Sequence, residues 1–389
     1  MALKSLIFAG GVQALFQVSV LQIFKKNVQT DRWLMSWLFL VGLQLFFYCD
    51  ALSNRPFLNS FFGLIAFSIP LLSAPVLYQY IAMVSLGRKI EIGRFAIYIF
   101  PWIIYLIGIL SLKFSNPGAI FMQFGFPHFR AESSPLLICF FTAPIAVVPG
   151  IYALMGLVLL MKYQKTLPDR YSYTERISLD WLKWLTTSIP ILFILVFVFI
   201  RFGSHHLISS DEIFLYVGIV ISLYVFMFSY FSLRQNIWLL AAVPDSHDEE
   251  GMTEIYKEVP YKKSGLDSVK VDDIFHALLA YMHDVKPFLR DDLSLSQLAK
   301  ELSVNPNQLS QVINQRSGGN FFSFVNGYRV EEVKKKLMDP SFSHLSILGI
   351  AMDSGFRSKS AFNRIFSQQV GMEPGQYKKM STDKSHRVG

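Results

Sequence analysis

The hydrophobic pattern changes character once along the chain. Up to about residue 240, apolar residues come in unbroken runs, at 3–24, 33–52, 61–86, 95–112, 136–161, 185–202 and 213–233. A helix needs about 20 mainly apolar residues to cross a bilayer, so the pattern predicts seven spans. The first run lacks a small-x-small cleavage site and is followed by Lys25 and Lys26, so it reads as a retained anchor rather than a signal peptide. Residues 241–265, AAVPDSHDEEGMTEIYKEVPYKKSG, have no apolar period and mix Pro, Gly and both charges, as a tether does.

Beyond the tether the pattern becomes amphipathic. Ile274, Ala277, Leu278 and Tyr281 mark a first helix. Leu295, Leu298, Ala299 and Leu302 form a second stripe, Ser303 and Val304 turn the chain, and Asn305 followed by Pro306 starts another helix as N-cap and first residue. That helix, about 306–315, divides into an inward face of Leu309, Val312 and Ile313 and a polar face of Asn307, Gln308, Ser310, Gln311 and Asn314. Amide side chains can bond adenine edges bidentately in a major groove; the alternative is an ordinary solvated face. A longer helix follows, with Asn320 as its cap, Phe321, Phe324, Val325, Tyr328, Val333 and Leu337 spaced for burial, and Lys334, Lys335 and Lys336 at its end. The lysines either complement the helix dipole or meet phosphates.

The plan then repeats. Leu345, Leu348, Ile350 and Ala351 predict a helix ended by Gly355, and Ser358 caps the next. In that one Ala361, Phe362, Ile365 and Phe366 face inward, leaving Lys359, Ser360, Asn363, Arg364 and Ser367 outward with Arg357 just before them. Gly371 stops it and Pro374 starts a short last helix.

Composition supports the division. A hydrophobic content of 52% and a mean hydropathy of +0.38 are too apolar for an ordinary soluble chain, and the formal charge of +8 suits an anionic partner. Alternate short loops differ in cations. One set holds Lys25, Lys26, Arg32, Arg88, Lys89, Arg94, Lys162, Lys165, Arg170, Arg176 and Lys183; the other holds only Arg55, Lys113, Arg130 and Arg201. Cationic loops stay cytoplasmic, so the N-terminus is expected outside and the C-terminal half in the cytoplasm.

Little else in the spans is polar. Asp50 is the one acid, too little for a proton relay, while Gln13, Gln17, Gln22 and Gln44 form a candidate seam between helices. Pro70, Pro75, Pro101, Pro144, Pro149 and Pro190 are expected to interrupt four spans. Cys49 and Cys139 sit in apolar runs and are expected buried. The outer loop 113–134 carries Phe121, Phe124, Phe126, His128 and Phe129, and His205, His206, Asp211 and Glu212 precede the last span; both are places for first contact with a ligand, but no third ligand accompanies the His pair, so no metal site is assigned. No P-loop, GxGxxG, HExxH, GxSxG or pair of intramembrane aspartates occurs, which argues against an enzyme.

Two stretches together resemble the AraC/XylS family of transcription regulators. One is Leu298-Ala299-x-x-Leu302, Asn305-Pro306-Asn307-Gln308-Leu309-Ser310-Gln311-Val312-Ile313-Asn314 and Asn320-Phe321-Phe322-x-Phe324-Val325-Asn326-x-Tyr328-Arg329. The other is Ile350-Ala351-x-x-Ser354-Gly355-Phe356-x-x-Lys359-Ser360-Ala361-Phe362-Asn363-Arg364-x-Phe366 with Gly371-Met372-x-Pro374-x-x-Tyr377-Lys378. Ser367, Glu373 and Lys378 depart from the common pattern. The resemblance covers about 266–380 and implies two recognition helices on one linking helix, entering successive major grooves.

The expected fold class is therefore all-α: a seven-helix transmembrane bundle, 1–240, the linker 241–265, a double helix-turn-helix domain, 266–380, and a basic tail, 381–389. The expected DNA-contacting residues are Asn307, Gln308, Ser310, Gln311, Asn314, Arg357, Lys359, Ser360, Asn363, Arg364 and Lys335. No cofactor and no catalytic residue is expected. The expected partners are promoter DNA, the lipid bilayer and an effector, with a homodimer and, for an activator, RNA polymerase. The expected location is a bacterial inner membrane, where the chain acts as a one-component sensor; a transporter-like or receptor protein with a regulatory tail is the alternative.

Overall fold

The computed structural model describes residues 2–24, 29–52, 60–86, 92–116, 118, 120–123, 126–129, 135–174, 177–202, 210–242 and 268–386. The predicted linker falls almost wholly outside them, as do His205 and His206. The contacts divide the chain into two units, one of Met1–Lys162 and Leu179–Lys257, the other of Tyr163–Ser178 and Glu258–Gly389.

In the first unit the apolar runs fold as α1 (Ala2–Phe24), α2 (Gln29–Ala51), α3 (Ser60–Leu86), α4 (Ile92–Ser115), α5 (Pro135–Arg170), α6 (Asp180–Phe202) and α7 (Ser210–Ala242). Among the described residues, five helices, α1 to α5, are long and apolar enough to cross a membrane, and α7 contributes a shorter apolar stretch, Leu215–Phe231. Their outward faces are apolar. Phe16, Ile97, Phe100, Ile107, Leu154 and Leu195 are each at least 53% exposed, the reverse of a helix surface made for water.

Helices α1, α2 and α7 pack closely because small residues meet at the crossings. A Cβ added to Gly218 would lie 2.7 Å from Ile7 Cδ1, and one added to Gly10 would strike Ser222. Of the predicted glutamine seam, Gln17 and Gln44 are buried and Gln44 Nε2 donates to Tyr48 Oη at 3.0 Å, while Gln22 is exposed. A cavity of about 70 Å³ lies within this unit, lined by Trp37, Gln44, Tyr78, Tyr152, Thr186 and Tyr224 among mostly apolar neighbours.

Several details differ from expectation. The prolines sit inside continuous helices, because one lost backbone bond does not break a helix whose neighbours hold it. Cys139 is exposed and Cys49 half-buried. The all-α expectation misses an antiparallel hairpin between α4 and α5, β1 (Ile120–Gln123) with β2 (Phe126–Phe129), in register from Ile120 opposite Phe129 to Gln123 opposite Phe126. Ile120 anchors it in a core with Leu64, Leu71, Tyr105, Ile109 and Phe141.

The second unit contains α8 (Ser268–Asp284), α9 (Leu295–Glu301), α10 (Pro306–Ser317), α11 (Phe321–Met338), α12 (Ile347–Asp353), α13 (Lys359–Val370) and α14 (Pro374–His386). Helix α11 serves two cores. Its first half puts Phe321 and Val325 into one with Ile274, Leu278, Leu298, Leu309, Val312 and Ile313. Its second half puts Val330, Val333 and Leu337 into another with Ile350, Ala351, Phe356, Phe362, Ile365 and Phe366. Ala277 and Leu348, both expected inside, are exposed, since Val271 and Met282 complete the inward face of α8 and α12 is too short to bury more than Ile350 and Ala351.

The sequence placed 162–184 in a loop of the membrane half. The contacts instead group Tyr163–Ser178 with the C-terminal unit. This segment closes on itself, with Tyr163 Oη donating to Ile177 O at 2.9 Å and Gln164 Nε2 to Ser178 O at 2.7 Å.

Candidate nucleic-acid interface

Two helix-turn-helix units share one turn geometry. In the first, Ser294 and Gln297 close a capping box at the start of α9, with contacts of 2.8 and 3.3 Å. Ser303 then adopts φ +55° and Val304 N donates back to Ala299 O at 2.9 Å. In the second, Ser346 caps α12, Gly355 adopts φ +91°, and Phe356 N donates to Ala351 O at 3.1 Å. A left-handed residue at this place lets the next amide satisfy a helix-end carbonyl and turns the chain toward the second helix.

The second helices start as the sequence predicts. Asn305 Oδ1 accepts from Asn307 N at 2.9 Å with Pro306 following, and Ser358 Oγ accepts from Ala361 N at 3.1 Å. Gly318 and Gly371 end them at φ +68° and +78°. On α10 Leu309, Val312 and Ile313 are fully buried; Asn307 is exposed, and Gln308, Ser310, Gln311 and Asn314 are half-buried. On α13 Phe362, Ile365 and Phe366 are buried, Lys359, Ser360 and Arg364 are exposed, and Asn363 is half-buried. Ser367 departs from its outward placement: its Oγ is buried and makes no hydrogen bond among the described residues, because it sits on the margin of the packed face.

Of the three lysines on α11, Lys334 pairs with Glu331 at 2.7 Å and Lys336 with Asp353, its Nζ also lying 5.5 Å from the Phe342 ring. Lys335 is exposed and has no ion pair among the described residues. Arg357 is otherwise engaged: its Nε donates to Asp291 Oδ2 at 3.0 Å and its guanidinium lies 4.3 Å over the Tyr173 ring.

The sequence reading gave no role to Asn326 or Arg329, which are both 1% exposed on α11. Arg329 donates to Phe288 O at 2.8 Å, Arg290 O at 2.7 Å, Ser172 O at 3.2 Å, Ser172 Oγ at 3.1 Å and Asn326 Oδ1 at 3.3 Å. Asn326 Nδ2 donates to Ser172 O at 3.1 Å and to Phe322 O at 2.8 Å. All these acceptors are neutral. Burial pulls the guanidinium down to about 10, with the Asp291 charge acting the other way, so it remains charged at neutral pH. A signal for it was present in the sequence: Val325, Arg329 and Val333 are spaced by four, which places an arginine on the core side of an amphipathic helix.

These observations define the class: a double helix-turn-helix domain, two units mounted on one central helix. Residues 298–380 match the family model described as Helix-turn-helix domain, and this region is of the AraC type, a non-enzymatic class. An uncharacterised HTH-type transcriptional regulator of Staphylococcus aureus is 28% identical over 120 residues, 31% of this chain and 15% of that protein. The melibiose operon regulatory protein of Escherichia coli is 32% identical over 89 residues, 23% of this chain and 28% of that protein. Among solved structures, the C-terminal domain of a response regulator from Geobacillus stearothermophilus is 28% identical, covering 30% of this chain and 88% of that one with a TM-score of 0.25. The chain thus spans less than a third of the length of these two curated relatives, and the family model falls in its C-terminal region.

Proposed function

We propose that the chain is a sequence-specific DNA-binding transcription regulator held in a membrane, whose helical N-terminal half senses an effector and biases promoter binding by the C-terminal domain. The observation that carries the DNA-binding part is the pair of capped helices, α10 and α13, each with one face buried and the other lined by amide, hydroxyl or basic side chains. Gln311 and Asn314 on α10, with Asn363 and Arg364 on α13, lie at one-turn spacing and read base edges; Asn307, Gln308, Ser310, Lys359 and Ser360 border them, and Lys335 holds phosphate. Membrane residence rests on the exposed apolar side chains of α1 to α7, and the cytoplasmic placement of the C-terminal half on the bias of Lys and Arg between loops. The cavity among Trp37, Gln44, Tyr78 and Tyr152 suits a mainly apolar effector with one or two hydrogen-bonding groups.

A binding-site selection with the full chain in lipid nanodiscs tests the reading. Arg364→Ala and Gln311→Ala should each relax preference at a few base pairs, the affected positions forming two clusters about 10 base pairs apart. Lys335→Ala should weaken binding to all sequences alike. Base preferences unchanged by both Arg364→Ala and Gln311→Ala would remove the recognition faces as assigned.

A further inference from the structure

Residues 171–174, Tyr-Ser-Tyr-Thr, are the part of Tyr163–Ser178 most deeply engaged with the C-terminal unit. Ser172 is 1% exposed and satisfied on every side. Its N and Oγ both reach Leu293 O, at 3.3 and 2.7 Å, its Oγ also accepts from Arg329, and its carbonyl accepts from both Asn326 and Arg329. Tyr171 bridges to Ser294, the residue that caps α9. Tyr173 then lies across the guanidinium of Arg357, immediately before the cap of α13. A small cleft of about 20 Å³ runs from this contact to Ser358 and Arg364 on the proposed base-reading side.

We infer that residues 171–174 are a clasp: Ser172 locks into the buried polar socket of Asn326 and Arg329, and Tyr173 with Asp291 withholds Arg357 from DNA until the segment is released. The inference rests on the proposed DNA-binding function and adds its regulation. A buried guanidinium needs acceptors, and the socket obtains two of its five from a serine more than 150 positions earlier in the chain, so it selects this segment by its polar atoms rather than by apolar area. The segment stands in sequence between α5 and α6, so a change in those helices reaches the clasp through the chain itself. Of the cations expected to meet DNA, Arg357 is the one found in an ion pair among the described residues, and it is the one the clasp covers. Arginine on an aromatic face holds its position while its charge is shielded from an approaching phosphate.

The test uses the full chain in nanodiscs with two readouts. The first is the thiol-labelling rate of Tyr173→Cys without DNA, in a background with Cys49 and Cys139 replaced by Ser; docking predicts labelling at least about tenfold slower than in the same chain carrying Ser172→Arg, which sets a second cation against Arg329. The second is affinity for a selected DNA site across salt concentrations. Tyr173→Ala should bind about three- to tenfold more tightly than wild type at low salt, with a salt slope steeper by about one, and both gains should vanish when Arg357→Ala is added. Fast labelling of Tyr173→Cys overturns the clasp, as does a Tyr173→Ala chain with unchanged affinity and slope. So does a gain that survives Arg357→Ala. Slow labelling of Tyr173→Cys together with a wild-type chain that binds no DNA instead refutes the functional reading, and the regulatory role falls with it.

Discussion

The two helix-turn-helix units use one backbone turn in two different surroundings. Ser303 and Gly355 occupy the same place, each with positive φ and each followed by an amide that returns to the carbonyl of an alanine, Ala299 or Ala351. Ser303 is exposed, so its side chain costs only the strain of a left-handed residue. Gly355 is buried, and a Cβ there would meet Phe288 O, lie 2.9 Å from Arg329 Nε and 3.0 Å from Leu289 O. The difference teaches that the turn needs only a tolerant residue, whereas glycine is required in the second unit because the Arg329 socket presses against it.

The largest break in the comparison should come from Gly355→Ala. The change adds left-handed strain and forces a methyl into backbone carbonyls that cannot swing away, for a combined cost of about 3–5 kcal/mol. Hydrogen exchange of the α11 amides in the full chain measures it, and protection close to wild type would show that the turn relaxes more than the packing allows. Arg329→Met should follow, at about 2–4 kcal/mol, since it keeps the aliphatic stem but takes the guanidinium donor from the carbonyls of Phe288 and Arg290 and leaves that of Ser172 to Asn326 alone. The same measurement should show the loss in both cores that α11 serves, and a loss confined to one of them would contradict the view of Arg329 as the common tie.

How far each feature could be read in the sequence follows from how local its cause is. The helices of both units and their caps depend on residues within one or two turns, so Asn305, Pro306, Ser358 and Gly371 announce them directly. The inward faces of α10 and α13 are likewise a matter of spacing, apart from Ser367 at the margin. The socket is legible only in part. An arginine on the core side of α11 can be seen, but its acceptors are mostly backbone carbonyls, which carry no side-chain signature, and Ser172 lies far off in sequence inside what reads as a basic cytoplasmic loop. Likewise, nothing in the period of α12 distinguishes Leu348, which is exposed, from Ile350, which is buried.

The helix caps should sharpen the comparison from the other side, since here the two units ought to agree. Asn305→Ala and Ser358→Ala each remove one side-chain acceptor from a helix start and should cost about 1 kcal/mol apiece. Because the two caps start helices that pack in different cores, the double variant should cost the sum, as exchange from α10 and α13 can check; a markedly larger loss would mean that the units depend on each other through more than α11.

The smallest effect is expected at Ser303→Gly, and its sign matters more than its size. Glycine relieves the strain of the left-handed conformation, worth about 1 kcal/mol, but it also frees the unfolded chain, which takes back roughly 0.5–1 kcal/mol. The net change should fall between zero and a gain of about 0.5 kcal/mol in exchange from α9 and α10. It should be flanked by Ser303→Ala, which keeps the strain and so stays near wild type. If Ser303→Gly instead costs 1 kcal/mol or more, the serine must be holding the turn through its side chain, and the two units would differ in what their turns require and not only in what surrounds them.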